Sequence, residues 1–131
     1  MTLEQLNEHL SFLWQWQAAK ERLQSMRAVV LGAQQYDGMP HASGISDKVE
    51  RLALIMADQE EDVNRLEKQL RKSTKAVTKF VNQISDERTR LIFRLRFIGG
   101  LSWDEVAKMI GGGNSPEAVK MCCYRFLLSQ H

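Results

Sequence analysis

One rhythm dominates this chain. From residue 49 to 84 the apolar positions fall at Val49, Leu52, Met56, Gln59, Val63, Leu66, Leu70, Ser73, Val77, Phe80 and Ile84. The steps alternate three and four, and only Gln59 and Ser73 are polar. On an α-helix this spacing places every member on one stripe, and about five heptads of it predict a coiled-coil seam. The helix that carries it would be about 57 Å long at 1.5 Å per residue. A single helix cannot bury such a stripe. Its partner is either the chain's own first helix, folded back, or a second copy of the chain. Val49, Leu52, Met56, Val63, Leu66 and Leu70 are the candidate oligomer seam, and a homodimer is the expected assembly.

The first helix is expected over about residues 3–31. Thr2 with Gln5 forms a capping box, in which each side chain satisfies a backbone N–H of the other's turn. Leu3, Leu6, Leu10 and Leu13 make one stripe, and Trp16, Leu23, Met26 and Val30 continue it after a slip in phase. Trp14 lies off both and is a candidate contact outside the seam. Residues 32–46 hold three glycines and a proline, which oppose a helix and predict a loop. Asp47 with Glu50 then signals the start of the long helix. Residues 1–84 are thus expected to form a helical hairpin or coiled-coil domain. The second helix is longer than the first, which leaves some stripe for another subunit.

Residues 85–131 read differently. The stretch Ser85-Asp86-Glu87 starts a helix that stops at Gly99-Gly100, with Leu91, Ile92, Leu95 and Ile98 on its apolar side. Ser102 with Glu105 is a capping box opening a short helix with Trp103, Val106, Ala107 and Ile110 facing inward. Residues 111–114, Gly-Gly-Gly-Asn, break that helix. Ser115-Pro116-Glu117 then gives a serine N-cap, a proline at the first helical position and an acid behind it. Val119, Cys122, Cys123, Phe126 and Leu127 are its core candidates. Strand signals are nearly absent. The expected fold class is all-α: a long antiparallel helical hairpin or coiled coil, then a three-helix helix-turn-helix unit.

In a helix-turn-helix the last helix enters the major groove with its N-terminal half against base edges. Ser115, Glu117, Ala118, Lys120, Met121 and Tyr124 are the outward candidates there. Lysine reaches guanine or phosphate, glutamate accepts from cytosine, and alanine or methionine touches a thymine methyl. Backbone N–H groups over 115–118 are a candidate anion site. Arg90 and Arg94 are candidate phosphate contacts. On the long helix the charges separate: residues 47–62 hold six acids, while Arg65, Lys68, Arg71, Lys72, Lys75 and Lys79 follow with Glu67 alone between them. Lys68/Lys72, Arg71/Lys75 and Lys75/Lys79 are like-charge neighbours four apart, each costing a few tenths of a kcal/mol. Lys68, Arg71, Lys72, Lys75 and Lys79 are therefore a candidate phosphate stripe, set beside the plainer reading of a solvated face.

Net charge is only +2 over 131 residues, with 44% apolar and 26% charged. That fits a soluble chain with a core and decides little about a partner. Cys122 and Cys123 are adjacent, so a disulfide between them would be strained, and a secreted disulfide scaffold is not expected. No basic-then-apolar leader opens the sequence, and no apolar run nears the roughly 18 residues of a membrane span. A reducing cytoplasm is the expected compartment, with no membrane contact.

The stretch of roughly residues 84–128 resembles the helix-turn-helix of sigma-factor region 4. It looks more closely like small phage and prophage proteins with a sigma-region-4-like C-terminus, relatives of late-gene transcription regulators. The shared skeleton is Leu95-Arg96-Phe97, Gly100-Leu101-Ser102-Trp103, Glu105-Val106-Ala107, Ala118-Val119-Lys120 and Arg125. The resemblance covers about a third of the chain. It implies core roles for Val119 and Phe126, DNA-facing roles for Lys120, Met121 and Tyr124, and a structural role for Arg96, expected to pair with Glu105. It implies double-stranded DNA as partner in a bacterial host cell, with RNA polymerase a further candidate. The turn at 111–114 is about two residues longer than the usual one.

No nucleophile, base and orienting group come together in these motifs, so an enzyme is not expected, nor is a cofactor. His9, His41 and His131 match no metal spacing. The expected function is DNA binding by a phage or prophage transcription regulator dimerised through a coiled coil. The rivals are a coiled-coil scaffold or assembly protein, the DNA-recognition subunit of a phage packaging motor, and an inhibitor of a host nucleic-acid enzyme.

Overall fold

The computed structural model describes residues 1–34 and 43–130. Among them there is no strand. The helices are α1 (Leu3–Gln34), α2 (Ser43–Asn82), α3 (Glu87–Phe93), α4 (Trp103–Ile110) and α5 (Pro116–Ser129), and α3 runs on as a π-helical turn over Arg94–Ile98. The expected loop over 32–46 is shorter at both ends. α1 passes through Gly32, because one glycine costs a helix only about 1 kcal/mol and does not end it alone. α2 begins at Ser43, a turn before the Asp47 signal. Residues 35–42 of that loop lie outside the described residues, as do His41 and His131.

Two compact units are present: Met1–Trp14 with Gln69–His131, and Gln15–Lys68. The division falls inside α1 and α2 rather than at residue 84. Caps and glycines mark where helices end. Which helices share a core is decided by the surfaces that bury one another.

In the unit Gln15–Lys68, α1 and α2 run antiparallel. Ala19, Leu23 and Val63 are buried together, with Trp16, Met56 and Leu66 packed around them. Arg27 Nη2 donates to Glu60 Oε1 across 3.0 Å, a half-exposed pair worth at most about 1 kcal/mol. The seam is thus taken up by the chain's own first helix: Val63 is buried, Met56 and Leu66 are half-buried against the cluster, and Leu52 lines a groove with Met26 and Val30. Val49 is half-buried too.

The other unit gathers the first turns of α1, the last part of α2, and α3 to α5. Leu6, Leu10, Val77, Val81, Ile92 and Val119 are fully or almost fully buried. The aromatic rings form a connected set. Phe93 lies 6.0 Å from Phe80, 5.4 Å from Phe126 and 5.6 Å from Phe97, and Phe97 lies 6.4 Å from Trp103. Burying Phe93 and Phe97 completely contributes about 1.5–3 kcal/mol each. Leu70, the last of the seam candidates, is buried here.

One polar side chain crosses this core. His9 is 2% exposed, and its Nε2 donates to the carbonyl of Phe97 across 2.8 Å while Nδ1 lies 2.7 Å from Ser73 Oγ. Ser73 also donates to the Leu70 carbonyl. A polar residue in the α2 stripe and a polar residue on α1 thereby satisfy each other, as burial demands.

Candidate nucleic-acid interface

In the head, the part of the chain that carries α3 to α5, each short helix is started by its own sequence. Asp86 caps α3: its carboxylate accepts from the Thr89 N–H at 2.9 Å and from the Thr89 hydroxyl at 2.6 Å, which holds its pKa below the usual 3.8. Ser102 and Glu105 close the expected capping box, and the Ser102 donors hold the Glu105 carboxyl below its usual range. α4 ends in a turn that only glycine adopts readily, since Gly111, Gly112 and Gly113 all have φ near +70°. Asn114 closes it, with Nδ2 donating to the Gly111 carbonyl at 2.7 Å. Arg88 Nη2 in turn donates to Asn114 Oδ1 at 3.0 Å, tying the turn to α3.

α5 follows with Ser115 as N-cap and Pro116 at its start. Val119, Cys123 and Leu127, spaced by four, are buried. At 100° per residue the opposite face centres on Ala118, Met121 and Arg125, with Glu117 and Leu128 beside them. Glu117, Ala118 and Arg125 are exposed and Met121 is half-exposed. Lys120 and Tyr124 sit on one flank, both half-buried, with Lys120 Nζ 5.6 Å from the Tyr124 ring centre. Tyr124 also lines an apolar cleft of about 230 Å³ with Leu3, Leu127 and Leu128. Arg125 is the outward residue that the sequence reading passed over. Its spacing from Ala118 and Met121 was the available signal.

Several expectations need correction. The candidate anion site over 115–118 is reduced to the N–H groups of Ser115 and Glu117, because Pro116 has none and the Ala118 N–H is taken by Ser115 Oγ at 3.1 Å. Arg90 is half-buried and engaged: its Nη1 donates to the carbonyl of Ile84, in the link between α2 and α3, at 2.8 Å. Arg94 is exposed, with Nη2 held by Asn82 Oδ1 at 2.9 Å. Arg96 does not pair with Glu105, whose carboxylate is engaged by Ser102. Its guanidinium lies between two indoles, 4.5 Å from the Trp103 ring centre and 5.3 Å from that of Trp14, and Nη1 donates to the Leu101 carbonyl at 2.9 Å. Burial pulls its pKa below the usual guanidinium range, with nearby Tyr124 and Cys123 acting the other way. The buried Arg96 Nε has no hydrogen-bond partner among the described residues. Ring faces rather than a carboxylate hold this charge.

The stripe residues are divided between the units. Arg71, Lys72, Lys75 and Lys79 are exposed in the unit of the head, and Lys68 is exposed in the other. Among the described residues no group of His, Cys, Asp and Glu side chains is placed to hold a metal ion, and no helix is long and apolar enough to cross a membrane. Burial raises the Cys123 thiol to about 12, while Cys122 is half-exposed beside Arg88 and Thr89.

Compared with known proteins, the chain matches no family model, no curated protein and no solved structure.

Proposed function

We propose that the chain binds duplex DNA by laying α5 in the major groove, as a regulator of transcription. The observation that carries this reading is the exposure of the leading end of α5. Glu117 and Ala118 point away from the protein with Met121 behind them, while Val119, Cys123 and Leu127 anchor the opposite side. The glycine turn and the Arg88–Asn114 bond fix the helix against α3. Glu117 then accepts from a cytosine amino group, Ala118 and Met121 touch thymine methyls, and Arg125, further along the same face, reaches phosphate. Lys120 lies at the edge of this face and contributes a phosphate contact rather than a base contact. The role in transcription rests on the likeness to sigma-factor region 4.

The reading does not depend on a coiled-coil dimer. The seam on which that expectation stood lies against the chain's own first helix or is half-buried. A single head with few bases then depends on cations elsewhere for its affinity.

Selection of bound sequences from random duplex DNA tests the reading. Wild-type protein yields a preferred site. Met121→Ala and Glu117→Ala each relax the preference at one position, by about 1–3 kcal/mol where a base contact is lost. Retention of the full preference by both variants would remove α5 as the reading element. A chain that selects no sequence and binds no duplex would leave the scaffold reading in its place.

A further inference from the structure

The last part of α2 carries a second surface with a chemistry of its own. Leu70, Val77 and Val81 are its buried side. At 100° per residue Lys72, Lys75, Lys79 and Asn82 cluster opposite, and all four are exposed. None of these lysines has a hydrogen bond or ion pair with any described residue. Asn82 fastens the exposed guanidinium of Arg94 at the end of the row. The cations therefore extend over about 15 Å, ten residues at 1.5 Å each, along one helix.

An ordinary solvated helix face mixes acids with bases, because pairs four apart stabilise it. Here no acid occurs between Lys68 and Asp86, and four bases do. Since the whole chain sums to only +2, everything outside this stretch is net negative. The positive charge is concentrated, and its concentration is locally unfavourable.

We propose that Lys72, Lys75, Lys79 and Arg94 form a second, sequence-independent contact with duplex DNA, to phosphates outside the stretch read by α5. The proposal rests on the DNA-binding reading above and adds a partner surface to it. The duplex backbone offers a negative charge about every 1.7 Å of axis, a near-continuous match for cations spaced 4.5–6 Å along a helix. A protein partner fits less well, because lysine is depleted in the cores of protein interfaces and no large apolar residue interrupts this row. Phe80, on the flank of the buried side, meets Phe93 and Phe126, so the row is turned away from the core of the head.

The test is the salt dependence of duplex binding by the full chain, followed by fluorescence anisotropy on a selected and on a scrambled duplex. Wild type is compared with a ridge variant, Lys72→Ala with Lys75→Ala and Lys79→Ala, and with a reading variant, Glu117→Ala with Met121→Ala. Alanine keeps the helix, which circular dichroism checks. Each phosphate contact contributes about 0.9 to the slope of log K against log salt, so the ridge variant loses about 2–3 from the slope on both duplexes and keeps its preference. The reading variant loses the preference and keeps the slope. An unchanged slope in the ridge variant, with the reading variant behaving as expected, overturns the ridge alone and leaves an acidic protein surface as its partner. A reduced slope with an unaltered preference in the reading variant overturns the α5 reading alone. Absence of duplex binding by wild type overturns both.

Discussion

His9 Nε2 donates to the carbonyl oxygen of Phe97 across 2.8 Å and joins two residues 88 apart in the sequence. The bond fastens the first turns of α1 to the π-helical turn that leads into the head. It also orders the imidazole: with Nε2 as donor, a neutral ring must accept at Nδ1, where Ser73 Oγ stands. Ser73 has one proton to share between that nitrogen and the Leu70 carbonyl.

Replacing His9 by leucine keeps the bulk and removes the bonds. The Phe97 carbonyl is left without its donor, so His9→Leu should lower stability by about 1–3 kcal/mol in urea unfolding. An unchanged midpoint would show that the tie is dispensable.

Acid should weaken the wild-type protein through the same residue. Burial outweighs the Phe97 carbonyl and lowers the His9 pKa below the usual 6.5. The unfolded chain then takes up the proton first, so the stabilisation is complete above pH 6.5 and is lost as pH falls through the lower folded value. Asp86 and Glu105 have lowered values too, and their contributions fade only below their usual 3.8 and 4.5. Between pH 6.5 and 4.5 the slope of stability on pH should therefore be flattened by His9→Leu. A slope of equal size in the variant would assign it elsewhere.

Arg96 should resist conservative replacement. A lysine keeps the charge but cannot lie flat between Trp14 and Trp103 and still reach the Leu101 carbonyl. Arg96→Lys should cost about 1–3 kcal/mol, more than a surface change, with a shifted tryptophan emission. Exchanging Arg96 and Glu105 should give no rescue over the single variants. Recovery in the exchange would restore the ion pair expected from the sequence.

Two glycine-to-alanine changes should have opposite signs. At Gly100 φ is +72°, and an added Cβ would stand 2.8 Å from Leu13 Cδ2, beside the indole that donates to the Gly100 carbonyl. Gly100→Ala should cost about 1–3 kcal/mol through backbone strain and displaced packing. At Gly32, inside α1, a Cβ meets nothing within 4 Å, and Gly32→Ala should stabilise by about 0.5–1 kcal/mol. Thermal unfolding of both variants reads the signs directly.

Thiol labelling should distinguish neighbours in the sequence. A reagent added to native protein should modify Cys122 and leave Cys123, which is buried with its pKa raised to about 12. Peptide mapping after native labelling checks this, and modification of Cys123 at a comparable rate would contradict the packing of α5.

Local signals carried much of this fold from the sequence. Ser102 with Glu105, and Ser115 with Pro116, act within one turn, so their residue types predict the helix starts directly. The seam at Val63, Leu70 and Val77 was readable because burial on a helix repeats every three to four residues. His9 was passed over as a scattered histidine, although it shares a face with Leu6 and Leu13, because its partners are on other helices. Arg96 was given the wrong partner for the same reason: Trp14, one of the rings that hold it, belongs to α1. Arg90 looked free because nothing in its spacing shows that the Ile84 carbonyl lies within its reach.

The tie between residues 9 and 97 also sets an order of events during synthesis. A ribosome adding 5–20 residues per second needs roughly 4–18 s to pass from one to the other. Throughout that interval Leu6, Leu10 and Leu13 have been made while the helices that complete their cover are still being added. The core of the head therefore cannot close in the order its residues appear: Leu6 and Leu10 are made long before the partners that bury them.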